Sequence, residues 1–94
     1  MTKYKKSNYR EINLDQVKQI MQEDFKHFPE VLDNVFCSNC IVTTIKDYLI
    51  YLDALGNIIL QGICSKCGKK VARFIETGDN PKKAKRAKKI YGKL

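Results

Sequence analysis

The sequence predicts a small α+β protein, and three patterns along its 94 residues support this fold class. Apolar residues recur at spacings of three and four between residues 14 and 28, as on one face of a helix. β-branched and aromatic residues dominate residues 41–63, as they do in strands. Basic residues crowd the end of the chain. We therefore expect an amphipathic helix, then a small antiparallel sheet, then a basic C-terminal helix or tail.

Residues 1–12 are predicted to form a basic N-terminal arm. Four bases and no acidic residue lie within residues 1–10, which gives this stretch a net charge of +4. Polar terminal segments of this kind are usually disordered. Two tyrosines among the bases leave open a second interpretation, in which the arm touches nucleic acid and its rings stack on bases. No apolar run follows the first lysines, so we see no signal peptide and expect an intracellular protein, cytoplasmic or nuclear.

The next segment, residues 13–35, is predicted to hold an amphipathic helix over residues 14–28 and a linker. Asn13 is a favourable N-cap with Gln16 three residues later, and Pro29 is expected to stop the helix. We expect its apolar face to pack on the sheet or on a second copy of the chain. That face consists of Leu14, Val17, Ile20, Met21, Phe25 and Phe28.

All four cysteines fall into two C-x2-C clips, and this arrangement predicts one metal site. A gap of two residues lets both thiolates of a tight turn reach one ion at about 2.3 Å, and two such clips complete a tetrahedral shell. The predicted ligands are Cys37, Cys40, Cys64 and Cys67, and the expected cofactor is one structural Zn²⁺. Iron in the same shell stays open as an alternative. Disulfides would need an oxidising compartment, and a redox pair would explain only one clip.

Residues 36–79 are predicted to form the sheet that carries both clips. Residues 41–45 are β-branched at every position, and residues 48–53 and 57–63 are expected to form a hairpin around Gly56. Residues 69–76 should add a final strand. A short helix that ends at Gly56 is an alternative for the first hairpin strand, since Tyr48, Leu52 and Leu55 also fit helical spacing.

At these residues the chain resembles the zinc-ribbon class. The resemblance covers roughly residues 36–76, on Cys37-Ser38-Asn39-Cys40, Cys64-Ser65-Lys66-Cys67-Gly68 and the strand-rich segment between them. In that class two clip-bearing turns hold one zinc at the end of a small antiparallel sheet. Its members occur in transcription factors, ribosomal proteins, replication proteins and adaptors, so the resemblance implies a fold and a zinc site but no single function. Ser38 and Ser65 stand where proline is common in that class, and Ile41 stands where glycine is common.

The last segment, residues 80–94, is predicted to be a basic C-terminal helix or tail, with a net charge of +7 from seven bases and no acid. Asn80 can cap a helix that begins at Pro81. A narrow apolar stripe follows at Ala84, Ala87, Tyr91 and Leu94, beside six clustered bases: Lys82, Lys83, Lys85, Arg86, Lys88 and Lys89. Repulsion among these bases opposes the helix, and a polyanion would remove that repulsion.

The sequence therefore favours a nucleic-acid-binding accessory protein without sequence specificity, and it does not choose between DNA and RNA. The predicted contacts are the six tail bases and four bases near the second clip, Lys66, Lys69, Lys70 and Arg73. One alternative is a protein-interaction adaptor, or a homodimer, that uses Leu14, Val17, Met21 and Phe25. Others are a rubredoxin-like electron carrier and a tail that only solubilises. We expect no enzymatic activity, because a closed four-thiolate shell has no open coordination site, and no membrane association, because the tail has few bulky apolar residues.

Overall fold

The computed structural model describes residues 9–94, which form an α+β fold as the sequence predicts. The strands in this part of the chain are β1 (Tyr9–Ile12), β2 (Val35–Cys37), β3 (Ile41–Thr43), β4 (Ile45–Asp53), β5 (Ile58–Cys64) and β6 (Lys70–Ile75). The helices are α1 (Leu14–Met21), α2 (Phe28–Leu32) and α3 (Pro81–Lys93), with 3₁₀ turns at Gln22–His27 and Thr77–Asp79. One antiparallel sheet has the order β1-β4-β5-β6, and β2 pairs with β3 in a separate antiparallel ribbon.

The first strand corrects the prediction of an arm over residues 1–12. Residues 9–12 form β1, in which Arg10 lies opposite Leu52 and Ile12 lies opposite Ile50. Ile12 is buried in the core, so one apolar side chain and a row of ladder hydrogen bonds hold this short strand on the sheet. The rest of the predicted arm, residues 1–8, lies outside the described residues.

The predicted helix over residues 14–28 is interrupted: α1 covers residues 14–21, a 3₁₀ segment covers residues 22–27, and α2 begins at Phe28. Its start is confirmed, because Asn13 Oδ1 accepts from the Gln16 amide and Gln16 Oε1 accepts from the Asn13 amide, each at 2.9 Å. α1 ends at Met21 because Gln22 takes a positive φ of 51°. The prediction that Pro29 stops the helix is wrong: Pro29 lies in the first turn of α2, where its missing amide hydrogen costs no hydrogen bond.

The apolar face of the helical segment is buried by the chain itself. Val17 and Met21 are 0% and 6% exposed and belong to the same core as the sheet, which confirms packing on the sheet. Phe28 is also buried, and the ring of the half-buried Phe25 stacks on it at 5.4 Å between centroids. Within the surface predicted to bind a partner or a second copy, Leu14, Val17, Met21 and Phe25, two of the four side chains have almost no free surface; the partner itself stays a prediction.

The predicted central hairpin is confirmed as β4 and β5, with Leu52 opposite Ile58. Asp53 Oδ1 accepts from the backbone amides of Leu55 and Asn57 at 2.9 and 2.8 Å, and this holds the turn. Gly56 adopts a φ of 90°, which glycine tolerates best. The alternative of a short helix ending at Gly56 is therefore wrong.

A bulge in β4 was not predicted from the sequence. The register of β4 against β5 shifts between Lys46 and Leu49, and Asp47 takes a φ of 51° there. Gly62 faces this bulge on β5, and a β-carbon at Gly62 would lie 2.6 Å from the carbonyl oxygen of Lys46. The missing side chain of Gly62 therefore makes room for the bulge.

The C-terminal segment is a docked helix and not a free tail. Asn80 Oδ1 accepts from the Lys83 amide at 3.0 Å, which confirms the predicted start of α3 at Pro81. Ala84 and Ala87 are buried against the β4–β5 turn, where a β-carbon on Gly56 would come within 3.3 Å of Ala84. Close approach of small residues thus seats α3 on the hairpin.

Segments that the sequence analysis treated separately share one core. Ile12 of β1, Val17 of α1, Leu52 of β4 and Ala87 of α3 belong to a single buried cluster. On the opposite face of the four-stranded sheet, Leu49 and Phe74 are about half exposed, at 49% and 42%. None of the helices within residues 9–94 is long and apolar enough to cross a membrane.

Candidate metal centre

The four cysteines are brought together by two hairpin turns. Cys37 ends β2 and Cys40 precedes β3, while Cys64 ends β5 and Cys67 precedes β6. In each turn a residue with positive φ follows the second cysteine: Ile41 at 70° and Gly68 at 78°. A hydrogen bond of 2.9 Å from the Ser65 amide to the Thr44 carbonyl joins the chain after β3 to the second turn.

The sulfur atoms lie at distances that suit a tetrahedral ion. Cys37 Sγ is 3.6 Å from Cys67 Sγ, and Cys64 Sγ is 3.9 Å from Cys40 Sγ. Four ligands at about 2.3 Å from a central zinc would be separated by about 3.8 Å along each edge of the tetrahedron. All four atoms lie within 4.8 Å of one another. No disulfide links them, since a sulfur–sulfur bond would be about 2.05 Å long.

Hydrogen bonds to Cys64 Sγ stabilise its thiolate form. Burial raises the pKa of Cys64, but Thr43 Oγ1 at 2.9 Å and the backbone amides of Cys67 and Lys66, each at 3.4 Å, outweigh it and lower the pKa to about 6. Burial and contacts with the neighbouring thiols of Cys67 and Cys64 raise the pKa of Cys40 to about 12. The lowered pKa favours the thiolate form of Cys64, which is the form of cysteine that binds a metal ion.

The donor set determines what such a cation could do. Four cysteine sulfurs form a soft ligand shell, which suits Zn²⁺ or iron better than Mg²⁺ or Ca²⁺. Cys37 and Cys64 are buried, Cys40 is half-buried and Cys67 is exposed, so the cluster is reached from one side. Four protein ligands complete a tetrahedron and leave no open position for a substrate, as is typical of structural sites.

The bases predicted near the second clip are exposed, three of them at the metal end of the sheet and Arg73 in the middle of β6, opposite Leu60. Lys66, Lys69, Lys70 and Arg73 all have exposed side chains. Lys66 Nζ donates to the carbonyl of Val42 at 3.4 Å, and Arg73 Nη1 donates to the carbonyl of Asn34 at 3.3 Å. These two contacts place the bases of the second clip beside the β2–β3 ribbon.

The six predicted tail bases have two different environments. Lys82, Lys85, Lys88 and Lys89 are exposed, and Lys93, which the sequence analysis did not include, is exposed as well. Lys83 instead pairs with Asp24, whose pKa is lowered by the hydrogen bond and the charge of Lys83. Arg86 donates from Nε and Nη2 to the carbonyl of Ile20 at 3.0 and 2.8 Å, at the end of α1. These two bases lie beside the docked face of α3, so they hold the helix in place.

The two basic groups do not lie together on one surface. α3 contacts the β4–β5 turn through Gly56, whereas Lys66, Lys69 and Lys70 follow the last residue of β5. β5 has seven residues and spans about 20 Å at the usual rise per residue. The basic face of α3 and the bases of the second clip therefore lie near opposite ends of β5.

An exposed apolar surface beside the first clip was missed by the sequence analysis. Phe36 and Ile41 are each 69% exposed, and Val42 is 52% exposed. Phe36 and Val42 lie directly opposite each other in the β2–β3 ribbon. The signal available in the sequence was Ile41 itself, which stands directly after the clip where glycine is common.

Fold and site together define a small α+β protein with a four-cysteine cluster within metal-binding distance. No protein-family model matches the chain, and comparisons with curated proteins and with solved structures also give no match.

Proposed function

We propose that the protein is a zinc-ribbon protein that binds nucleic acid without sequence specificity. One structural Zn²⁺ on the four cysteines holds the two turns together, and the outer face of α3 contacts the phosphate backbone. The observation that carries the proposal is the set of five exposed lysines on α3: Lys82, Lys85, Lys88, Lys89 and Lys93.

The metal half of the proposal rests on the sulfur geometry and on the size of the ribbon. β2 and β3 have three residues each, so they contribute little burial of their own. A structural zinc contributes about 10–16 kcal/mol of apparent binding free energy at neutral pH, which exceeds the stability of many whole domains. Zinc would therefore hold this ribbon against the larger sheet.

Elemental analysis and absorbance spectroscopy test the metal. We expect one zinc per chain, and we expect chelation to remove the amide dispersion of β2, β3 and the second clip. A reduced, metal-free protein that keeps those dispersed signals would contradict a structural role. Thiolate-to-iron absorbance in the purified protein would instead favour the rubredoxin-like electron carrier.

The nucleic-acid half rests on the arrangement of charge along α3. The five lysines are exposed whereas Ala84 and Ala87 are buried, and residues 80–94 contain no acidic side chain. From Lys82 to Lys93 the helix rises about 16 Å, so the lysines form a stripe that can follow several phosphates. Docking on the core holds α3 helical despite the repulsion among these charges, so the stripe is preformed.

A salt titration of binding to random-sequence DNA tests this proposal. With five lysines each neutralising one phosphate, the log–log slope of affinity against salt should be about −4.5 on duplex. Replacing Lys82, Lys85, Lys88 and Lys89 by Gln should reduce the duplex slope to about −1, because Lys93 alone remains. Affinity should not depend on the sequence of the DNA.

The matched control replaces two exposed lysines of the helical segment, Lys18 and Lys26, by Gln. This control should leave the slope unchanged. If the α3 variant keeps both the affinity and the slope of the parent protein, α3 is not the contact surface. The adaptor alternative has no corresponding support at its predicted surface, because Val17 and Met21 are buried.

A further inference from the structure

The β2–β3 ribbon presents an aromatic ring and two aliphatic side chains to solvent. Phe36 is 69% exposed, and its cross-strand neighbour Val42 is 52% exposed. On the inner side of the same ribbon, Val35, Cys37 and Thr43 are buried. The ribbon is thus covered on one side by the protein and is bare on the side that carries Phe36.

Ile41 is exposed although its position in the strand predicts a buried side chain. Strand alternation would place Ile41 on the same side as the buried Thr43, two residues along. Its φ of 70° lies in the left-handed region, which is a genuine outlier for a β-branched residue, and its side chain is 69% exposed. Phe36, Ile41 and Val42 are therefore three exposed apolar side chains of the same ribbon, and we term them the ribbon surface.

Basic side chains border the ribbon surface. Lys66 Nζ donates to the carbonyl of Val42 at 3.4 Å, so its ammonium group lies beside one of the three apolar residues. Lys69 and Lys70 follow in the same clip region and are exposed. An exposed ring flanked by cations is the combination with which proteins hold single-stranded nucleic acid, because the ring stacks on a base and the cations contact the backbone.

We propose that the ribbon surface binds single-stranded nucleic acid by stacking an unpaired base on Phe36, with Ile41 and Val42 beside the base and Lys66 and Lys69 on the adjacent phosphates. This inference rests on the proposed nucleic-acid binding and adds the class of substrate. Bases within a duplex are stacked on each other and are not open to Phe36, so the ribbon surface selects single strands. The stripe on α3 contacts phosphates of either form.

Binding of the zinc-loaded full chain to a fluorescent oligothymidylate of about ten nucleotides tests the proposal, with a duplex of random sequence as the second probe. Phe36→Ala should weaken binding to the single strand by about 5- to 140-fold and leave duplex binding unchanged. Phe74→Ala is the matched control, because Phe74 is 42% exposed on the open face of the four-stranded sheet. It should change neither affinity.

A tryptophan variant gives a direct readout of stacking. The chain contains no tryptophan, so Phe36→Trp introduces a single reporter. We expect this variant to keep its affinity and its fluorescence to be quenched by the oligothymidylate, whereas Phe74→Trp should not be quenched.

The outcomes separate this inference from the proposed function. If Phe36→Ala binds the single strand as tightly as the parent, the ribbon surface does not bind bases and the α3 proposal stands. If the parent protein binds duplex but not the oligothymidylate, the ribbon surface does not bind bases, and α3 contacts the phosphates of duplex but not those of a single strand. Equal losses on both probes also overturn stacking, since a base-stacking contact acts on the single strand alone. If the parent protein binds neither probe, the proposed function fails as well.

Discussion

Replacement of Ile41 by Gly tests whether the first clip holds a strained backbone. At a φ of 70° a β-carbon crowds the following carbonyl, which costs about 1–2 kcal/mol relative to the right-handed region. Glycine avoids this crowding but loses about 0.5–1 kcal/mol more backbone entropy on folding than alanine. The difference leaves Ile41→Gly more stable than Ile41→Ala by about 0.5–1 kcal/mol.

The test is which of the two variants is more stable. At a residue with ordinary backbone angles, the glycine variant would be less stable than the alanine variant by about 0.5–1 kcal/mol. Ile41 is 69% exposed, so both variants lose only about a third of a full isoleucine burial, roughly 0.5–1 kcal/mol. This loss cancels in the comparison of the two variants. Ile41→Gly should therefore lie close to the parent protein, and Ile41→Ala should lie below it.

Urea unfolding at a fixed excess of free zinc measures these differences, since the metal concentration shifts the apparent stability. Gly68→Ala is the reciprocal control: its φ is 78° and no atom lies within 4 Å of an added β-carbon. It should lose about 0.5–1 kcal/mol through backbone conformation alone. If Ile41→Ala is more stable than Ile41→Gly, the backbone at residue 41 does not hold this conformation in solution.

Two other predictions concern the packing of the helices. Phe28→Ala should lower the free energy of unfolding by about 3–5 kcal/mol, and Phe25→Ala by roughly half as much. The reason is that Phe28 is buried whereas Phe25 is only half-buried. Equal losses of stability for the two variants in urea unfolding would contradict this packing. Asp24→Asn should destabilise the protein at neutral pH, because the Asp24 pKa is lowered by Lys83 from its ordinary 3.8. The stabilisation by the ion pair is complete above pH 3.8 and is lost as the pH falls through the lowered pKa of Asp24. The melting temperatures of the parent and of Asp24→Asn should therefore converge in acid. A difference between them that stays constant with pH would refute the ion pair.

Local signals account for the parts of the fold that the sequence predicted. The capping pair Asn13 and Gln16 marks the start of α1, and Asn80 with Pro81 marks the start of α3. The C-x2-C spacing is enough to predict that the two sulfurs of each clip lie close together, because one tight turn brings them there. These features depend on neighbouring residues alone, so they can be inferred without the rest of the fold.

Features that depend on distant residues could not be inferred in this way. Residues 9–12 are polar and charged apart from Ile12 and Tyr9, and only the free edge of β4 makes them a strand. Lys83 and Arg86 contact residues near the end of α1, and the position of that end cannot be inferred from residues 80–94. For the same reason, the prediction that six tail bases face a ligand included two that hold α3 on α1 and on the 3₁₀ segment after it.

The contact of Arg10 with Tyr91 has a consequence for synthesis. Arg10 Nη1 donates to the Tyr91 carbonyl at 2.9 Å, and its guanidinium lies 4.4 Å from the centre of the Tyr91 ring. These partners are 81 positions apart, so their contact forms only after α3 has been translated, whereas β1 can pair with β4 earlier. The two clips are complete once Cys67 has emerged. Metal capture by the nascent chain can therefore precede closure of the core, and the basic helix is added last.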